Sequence, residues 1–269
     1  MKYTLKYTLI ITLFFILSSC GNSSEKRTYI KSPVDNLITT YIDQQNFSVI
    51  LADMNYDESK NSYFHKYRII IPKTQKASSE KTENDFEIVN TDWKKVTPIT
   101  FEKHQNDLGM TILSKKEGVL DKKTAPAGYD NYVGNSNYGE WKTNSNGSSF
   151  WAFYGQYAFM RSMFGWGSGY RNYRYDYDDY GSYRGSRNFY GRNNTYGTKN
   201  YKNTNSTWAK KPESFKQRVQ SNVKKSASSM RSSGYSSNRS YSNSTNKTTR
   251  TSNAYSSSST RSRSGGFGK

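Results

Sequence analysis

The sequence predicts an α+β protein. One N-terminal helix covers a four- to five-stranded antiparallel sheet, and an aromatic helix and a long disordered basic tail follow. Three observations carry this. A helical apolar period at the start of the mature chain precedes five runs of strand composition. Ten aromatic or methionine side chains then crowd residues 150–166. Charge, finally, is asymmetric: residues 21–125 carry a net +1 and residues 126–269 a net +16, out of +19 in all.

The chain opens with Lys2 and Lys6, then the uncharged run LIITLFFIL at residues 9–17. That run is short of the roughly 20 apolar residues a bilayer span needs. A basic start, a short apolar run and small residues before a cleavage point make an export signal. Here the run ends in Leu17-Ser18-Ser19-Cys20, which resembles the lipobox of bacterial lipoproteins. The resemblance implies lipidation of Cys20, removal of residues 1–19, a lipidated linker over 20–30 and a place in the cell envelope. Gly21, where an Asp would retain the protein in the inner membrane, points to the outer one. Cys20 is the only cysteine, so the fold is expected to hold without disulfides.

Residues 31–122 read as the small α+β domain. Ser32-Pro33-Val34-Asp35 suits a helix start, and Val34, Leu37, Ile38, Tyr41 and Ile42 share one helical face. FSVILADM (47–54) and YFHKYRIII (63–71) read as strands around a polar loop, with Tyr63, His65, Tyr67, Ile69 and Ile71 on one face. Residues 72–84 read as an exposed loop. Phe86–Val89, Val96–Glu102 and Met110–Ser114 are the remaining strands, with Pro98 breaking the second of these.

Residues 125–166 form the aromatic segment, with a helix expected at about 149–165. Phe150, Trp151, Phe153, Tyr154, Tyr157, Phe164 and Trp166 are its packing or membrane-interface residues. A helix apolar on every side must be buried or face lipid. The run GYDNYVGNSNYGEW, followed by GSSFWAFYGQYAFMRSMFG, resembles a segment of uncharacterised bacterial envelope proteins with Arg/Ser/Gly-rich C-termini. The resemblance carries over no catalytic residue.

Residues 167–269 interleave Tyr, Arg, Gly and Asn, then turn to Ser and Arg. They lack the aliphatic residues that offset backbone entropy, so disorder is expected, with a helix over 212–226. Arg171, Arg174, Arg184, Arg187, Arg192, Lys216, Arg218, Lys224 and Lys225 are the expected polyanion contacts. Phe215, Val219 and Val223 give that helix a narrow apolar stripe suited to an anionic surface.

Chemistry is sparse. His65 and His104 are the only histidines, and no His/Cys/carboxylate cluster has metal-ligand spacing. Neither a phosphate-binding glycine loop nor a hydrolase elbow is present. The expectation is a non-catalytic, membrane-anchored envelope lipoprotein without a cofactor. Its partners would be the membrane, through the N-terminal lipid, and polyanions bound by the tail: lipopolysaccharide, anionic lipid or extracellular DNA. Two alternatives are an extracellular nucleic-acid-binding protein and an enzyme accessory acting through residues 31–122. A deep polar pocket near His65 would favour the last.

Overall fold

Two long strands set the frame, because nearly every residue along them has a neighbour to bury against. A computed structural model describes residues 28–73, 85–165, 171–201 and 205–236. In chain order these form β1 (Thr28–Tyr29), α1 (Pro33–Thr40), β2 (Phe47–Asp57), β3 (Ser62–Pro72), β4 (Phe86–Asn90), β5 (Lys94–Val96) and α2 (Pro98–His104). Then come β6 (Met110–Lys116), β7 (Val119–Asp121), β8 (Ala125–Pro126), β9 (Gly139–Thr143), β10 (Ser149–Phe153) and α3 (Met160–Met163). The last are α4 (Arg174–Tyr183), α5 (Glu213–Ser232) and β11 (Tyr235–Ser236).

The main sheet is antiparallel and seven-stranded, in the order β4-β3-β2-β6-β7, with β5 also on β3 and β8 also on β6. Beside it lie an antiparallel β9–β10 hairpin and a parallel β1–β11 pair. The expectation of one helix on four or five strands is thus corrected: the α+β domain has five helices and a seven-stranded sheet.

The sheet is the middle of three layers. One face carries Phe47, Val49, Leu51, Tyr63, Tyr67, Ile69 and Ile71, packed under Val34 and Ile38 of α1, Phe101 of α2, and Val219 and Val223 of α5. The other presents Ile50 and Ile70 to Phe86, Tyr132, Tyr157, Met160 and Phe164. Period-two alternation in a central strand buried on both sides produces this split. Next to the second layer, Tyr129, Val133, Trp151, Tyr180 and Phe189 form a further aromatic cluster.

Three elements depart from expectation for clear reasons. Pro98 opens a helix instead of breaking a strand. Thr97 takes an extended backbone and its hydroxyl accepts from Thr100 N at 3.2 Å, a capped start with proline at the first helical position. The aromatic helix expected at 149–165 is a strand, a 3-10 turn at Gly155–Tyr157 and the single turn α3. A turn containing Gly147, at φ +80°, folds β10 back on β9 and sets Trp151 directly opposite Trp141, their rings 5.2 Å apart. The tail, expected to be disordered from 167, is folded over residues 171–201 and 205–236. Aromatic side chains there do the work of the missing aliphatics: Tyr180, Phe189 and Trp208 are all buried.

Trp208 is only 1% exposed and sits edge-on to Phe101, centroids 5.6 Å apart. It positions α5, whose stripe Val219, Val223 and Ala227 is buried and whose length packs along α2. That stripe therefore faces protein.

The GYDNYVGN run threads between the aromatic clusters. Tyr129 enters one and Tyr132 the other, while Asp130 and Asn131 between them reach the sheet. Asp130 accepts from Ser48 Oγ and from Thr111 Oγ1, the latter at 3.2 Å. Asn131 Nδ2 donates to the carbonyls of Phe47 and Lys115 at 3.3 and 3.2 Å, stapling β2 to β6. Gly128 and Gly134 bracket the run at φ +86° and +75°.

Candidate functional site

Polar residues converge where α1, α2 and the end of β7 meet. Ser32, Val34, Asp35, Thr100, Lys103, His104, Ile112 and Lys122 line a small cleft of about 20 Å³ that opens to solvent. The sequence brings them together through two capped helices. Pro33 begins α1, which places Ser32 and Asp35 at its mouth, and Pro98 begins α2, which carries Thr100, Lys103 and His104 on one side.

Asp35 is the anchor of this cleft. Its Oδ2 accepts from the Tyr29 hydroxyl, from Ser32 N at 2.9 Å and from Ser32 Oγ at 2.7 Å. Its Oδ1 accepts from Lys122 Nζ at 3.2 Å. Burial alone would raise this carboxyl, but the hydrogen bonds from Tyr29 and Ser32 and the charge of Lys122 outweigh it and hold it below the usual range. It is a carboxylate with its acceptor sites occupied.

His104 forms the opposite wall. Its Nδ1 lies 2.7 Å from Asp107 Oδ2. Asp107 is completely buried and also accepts from Thr124 Oγ1 at 2.9 Å and Tyr190 OH at 2.6 Å. A carboxylate so placed fixes the ring and its tautomer, with the proton on Nδ1, and leaves Nε2 as the nitrogen available at the cleft. Burial depresses the His104 pKa, Asp107 opposing it, so the ring is neutral near pH 7. His65 is fully buried behind it, centroid to centroid 6.3 Å, with Nδ1 3.1 Å from the Tyr67 hydroxyl. It does not line the cleft.

Among the described residues no hydroxyl is hydrogen-bonded to His104, and the Ser32 hydroxyl is committed to Asp35. An activated nucleophile would need that link. The arrangement suits ligand binding: two ammonium groups, a hydroxyl and an imidazole nitrogen around an already neutralised carboxylate. No group of three or more His, Cys, Asp or Glu among the described residues is arranged to hold a metal.

The residues singled out from sequence lie elsewhere. Cys20 and Trp166 fall outside the described residues, as do most of the 72–84 loop and everything beyond 236. Trp151, Tyr157 and Phe164 are buried in the aromatic layers, Phe150 and Phe153 are half-buried, and Tyr154 is exposed. Of the nine cationic residues, several are engaged within the chain. Arg192 grips Asp179 with two nitrogens, Arg174 reaches Asp178 at 3.7 Å, Arg218 pairs with Glu58, and Lys216 meets the Ala209 carbonyl and Glu213. Arg171 lies over the Phe150 ring and Arg187 over that of Tyr183. Arg184 ends α4, while Lys224 and Lys225 are exposed on α5. They occupy two separate stretches of the fold.

No family model, curated protein or solved structure matches this chain. The cleft residues give a faint sequence signal at most. His104 and Asp107 are three apart across a helix end, a spacing that an ordinary turn also produces. Asp35 stands at the third helical position, where a carboxylate caps most often.

Proposed function

We propose that this protein is a non-catalytic, lipid-anchored envelope protein that holds its membrane at two points. One is the acylated Cys20, and the other is the basic segment after residue 236. The observation that carries this is the parallel pairing of β1 with β11. Thr28 N donates to Gly234 O at 2.7 Å and Ile30 N to Ser236 O at 3.0 Å. The stretch leading back to Cys20 and the stretch leading on to residue 237 therefore leave two adjacent two-residue strands, from opposite ends because the pair is parallel. Thr28 is eight positions after Cys20, a reach of at most about 28 Å. Residues 237–269 hold six Lys or Arg and no Asp or Glu. A cationic segment rooted that close to a lipid anchor works at high effective concentration on an anionic surface, at roughly 1 kcal/mol per cation.

The test is flotation of the full chain with vesicles. Cys20→Ser should leave the protein unbound on zwitterionic vesicles and salt-sensitive on anionic ones. Replacing Arg239, Arg250, Arg261 and Arg263 by Glu in the Cys20→Ser chain should then abolish the anionic binding. Equal binding by both chains would reject the second attachment.

One observation favours a second reading, an extracellular binder of single-stranded nucleic acid. Tyr173 and Tyr175 stack at 5.2 Å and 8°, Tyr175 is 42% exposed, and Arg192 lies over its ring at 5.0 Å. An exposed ring flanked by arginine is a surface on which a base can stack. Single strands should then outcompete duplex of equal charge, and Tyr175→Ala should remove the preference.

A further inference from the structure

The cleft between α1 and α2 contains a charge imbalance. Its one carboxylate, Asp35, is already matched by Lys122 and capped by Tyr29 and Ser32. Lys103 makes no ion pair among the described residues, although it lines the same cleft. Like charges crowd one concave surface, and an anion between them would relieve that cost.

The remaining groups say which kind of anion. The Thr100 hydroxyl, 3.0 Å from Thr97 Oγ1, is a third donor when Thr97 donates to it. His104 differs: Asp107 holds the proton on Nδ1, so Nε2 carries the lone pair of a ring that lines the cleft. A site with several donors and one fixed acceptor matches an oxyanion that still carries a proton. A carboxylate at neutral pH has none, and sulfate has none.

We propose that this cleft binds the phosphate group of a phosphomonoester. Lys103, Lys122 and Thr100 donate to its oxygens, and the P–OH of the monoanion donates a hydrogen bond to His104 Nε2. Asp35 keeps Lys122 in place and is not a ligand. This inference is independent of membrane attachment, since flotation can fail while the site binds phosphate, and the reverse.

The experiment is calorimetric titration of the full chain, purified in detergent, with inorganic phosphate and with sulfate near pH 6.5. Phosphate should bind about tenfold tighter than sulfate or better. Lys103→Gln should weaken phosphate about tenfold with an unchanged melting temperature, and Lys103→Arg should restore most of the affinity. Lys103 is exposed on the outer turn of α2, so the substitution spares the core. Equal affinity for the two anions, or a Lys103→Gln chain that titrates like the parent, would overturn the proposal. A second arm locates the phosphate's source. The titration is repeated with the chain in phosphatidylcholine vesicles containing one-tenth phosphatidic acid. Loss of the phosphate signal there assigns the site to lipid headgroups, and an unchanged signal assigns it to a soluble phosphomonoester.

Discussion

Asp53 in β2 accepts hydrogen bonds from the backbone nitrogens of Thr207 and Trp208, the latter at 3.1 Å and 155 positions along the chain. Its Oδ1 also takes the Ser206 hydroxyl at 2.7 Å. One buried carboxylate thus fixes the turn that inserts Trp208 into the core and starts the approach to α5. Charge-assisted bonds of this kind are worth about 1.5–3 kcal/mol each, and leaving their donors unmet adds desolvation cost. Asp53→Ala should therefore cost about 3 kcal/mol or more in urea denaturation, with Asp53→Asn intermediate. A loss below about 1 kcal/mol would mean the turn holds without it.

Val219 and Val223 of α5 are fully buried against the helix side of the sheet. Each Val→Ala change deletes two methyl-equivalents, at about 0.8 kcal/mol each plus a cavity contribution. The double variant should lose roughly 3–5 kcal/mol and lower the melting temperature of the whole domain in one transition. A helix that belonged to a free tail would leave the main transition untouched. Lys224→Gln and Lys225→Gln, at exposed positions on the same helix, should leave the melting temperature where it is.

Gly128 and Gly134 occupy the left-handed region, and a Cβ on either would stand 2.7 or 2.5 Å from the rings of Phe164 and Tyr177. Backbone strain of about 1–2 kcal/mol and steric overlap would add. Gly128→Ala and Gly134→Ala should each destabilise by more than about 2 kcal/mol, measured by thermal melting. Gly147→Ala, whose Cβ would meet nothing within 4 Å, should cost only the backbone strain.

Buried histidines give stability a pH dependence of known sign. Burial, and for His65 also the neighbouring His104, holds both imidazoles below the ordinary 6.5. The folded state refuses protons that the unfolded chain accepts, so this stability is complete above about pH 6.5 and declines as pH falls below it. Asp130, raised by burial, acts in the opposite sense because its folded form keeps the proton longer. The melting temperature should fall from about pH 7 to pH 5.5, and the slope should shrink in His65→Gln. An unchanged slope would place the titrating group elsewhere.

Local rules made parts of this fold readable. The cap at Ser32 and the alternation along β3 are written in short windows, where sterics and burial act over a few residues. Four things were not. Pro98 has one local meaning as a strand breaker and another as a helix opener, and only the Thr97 cap distinguishes them. The 149–165 stretch is apolar at every period, so helix and strand fit equally until Trp141 is known to lie opposite Trp151. The Tyr/Arg stretch looked unable to bury a core when judged by aliphatic content. Its rings find Tyr129 and Trp141 from the preceding segment, and such long-range partners are invisible to composition. The cleft was hidden for the same reason: Asp35, His104 and Lys122 are far apart in sequence, and only packing makes them neighbours.

The pairing of β1 with β11 has a mechanical consequence. Tension on the residues before Thr28 does not enter the seven-stranded sheet directly. It is borne first by two backbone hydrogen bonds to Gly234 and Ser236 and by the hydroxyl of Tyr29 on Asp35. From there it passes into α5 and α1. Under force the clasp should part before the sheet does, releasing Tyr29 from Asp35 while the core stays folded. A tether that yields in this order protects the domain and, in yielding, uncovers one edge of the cleft.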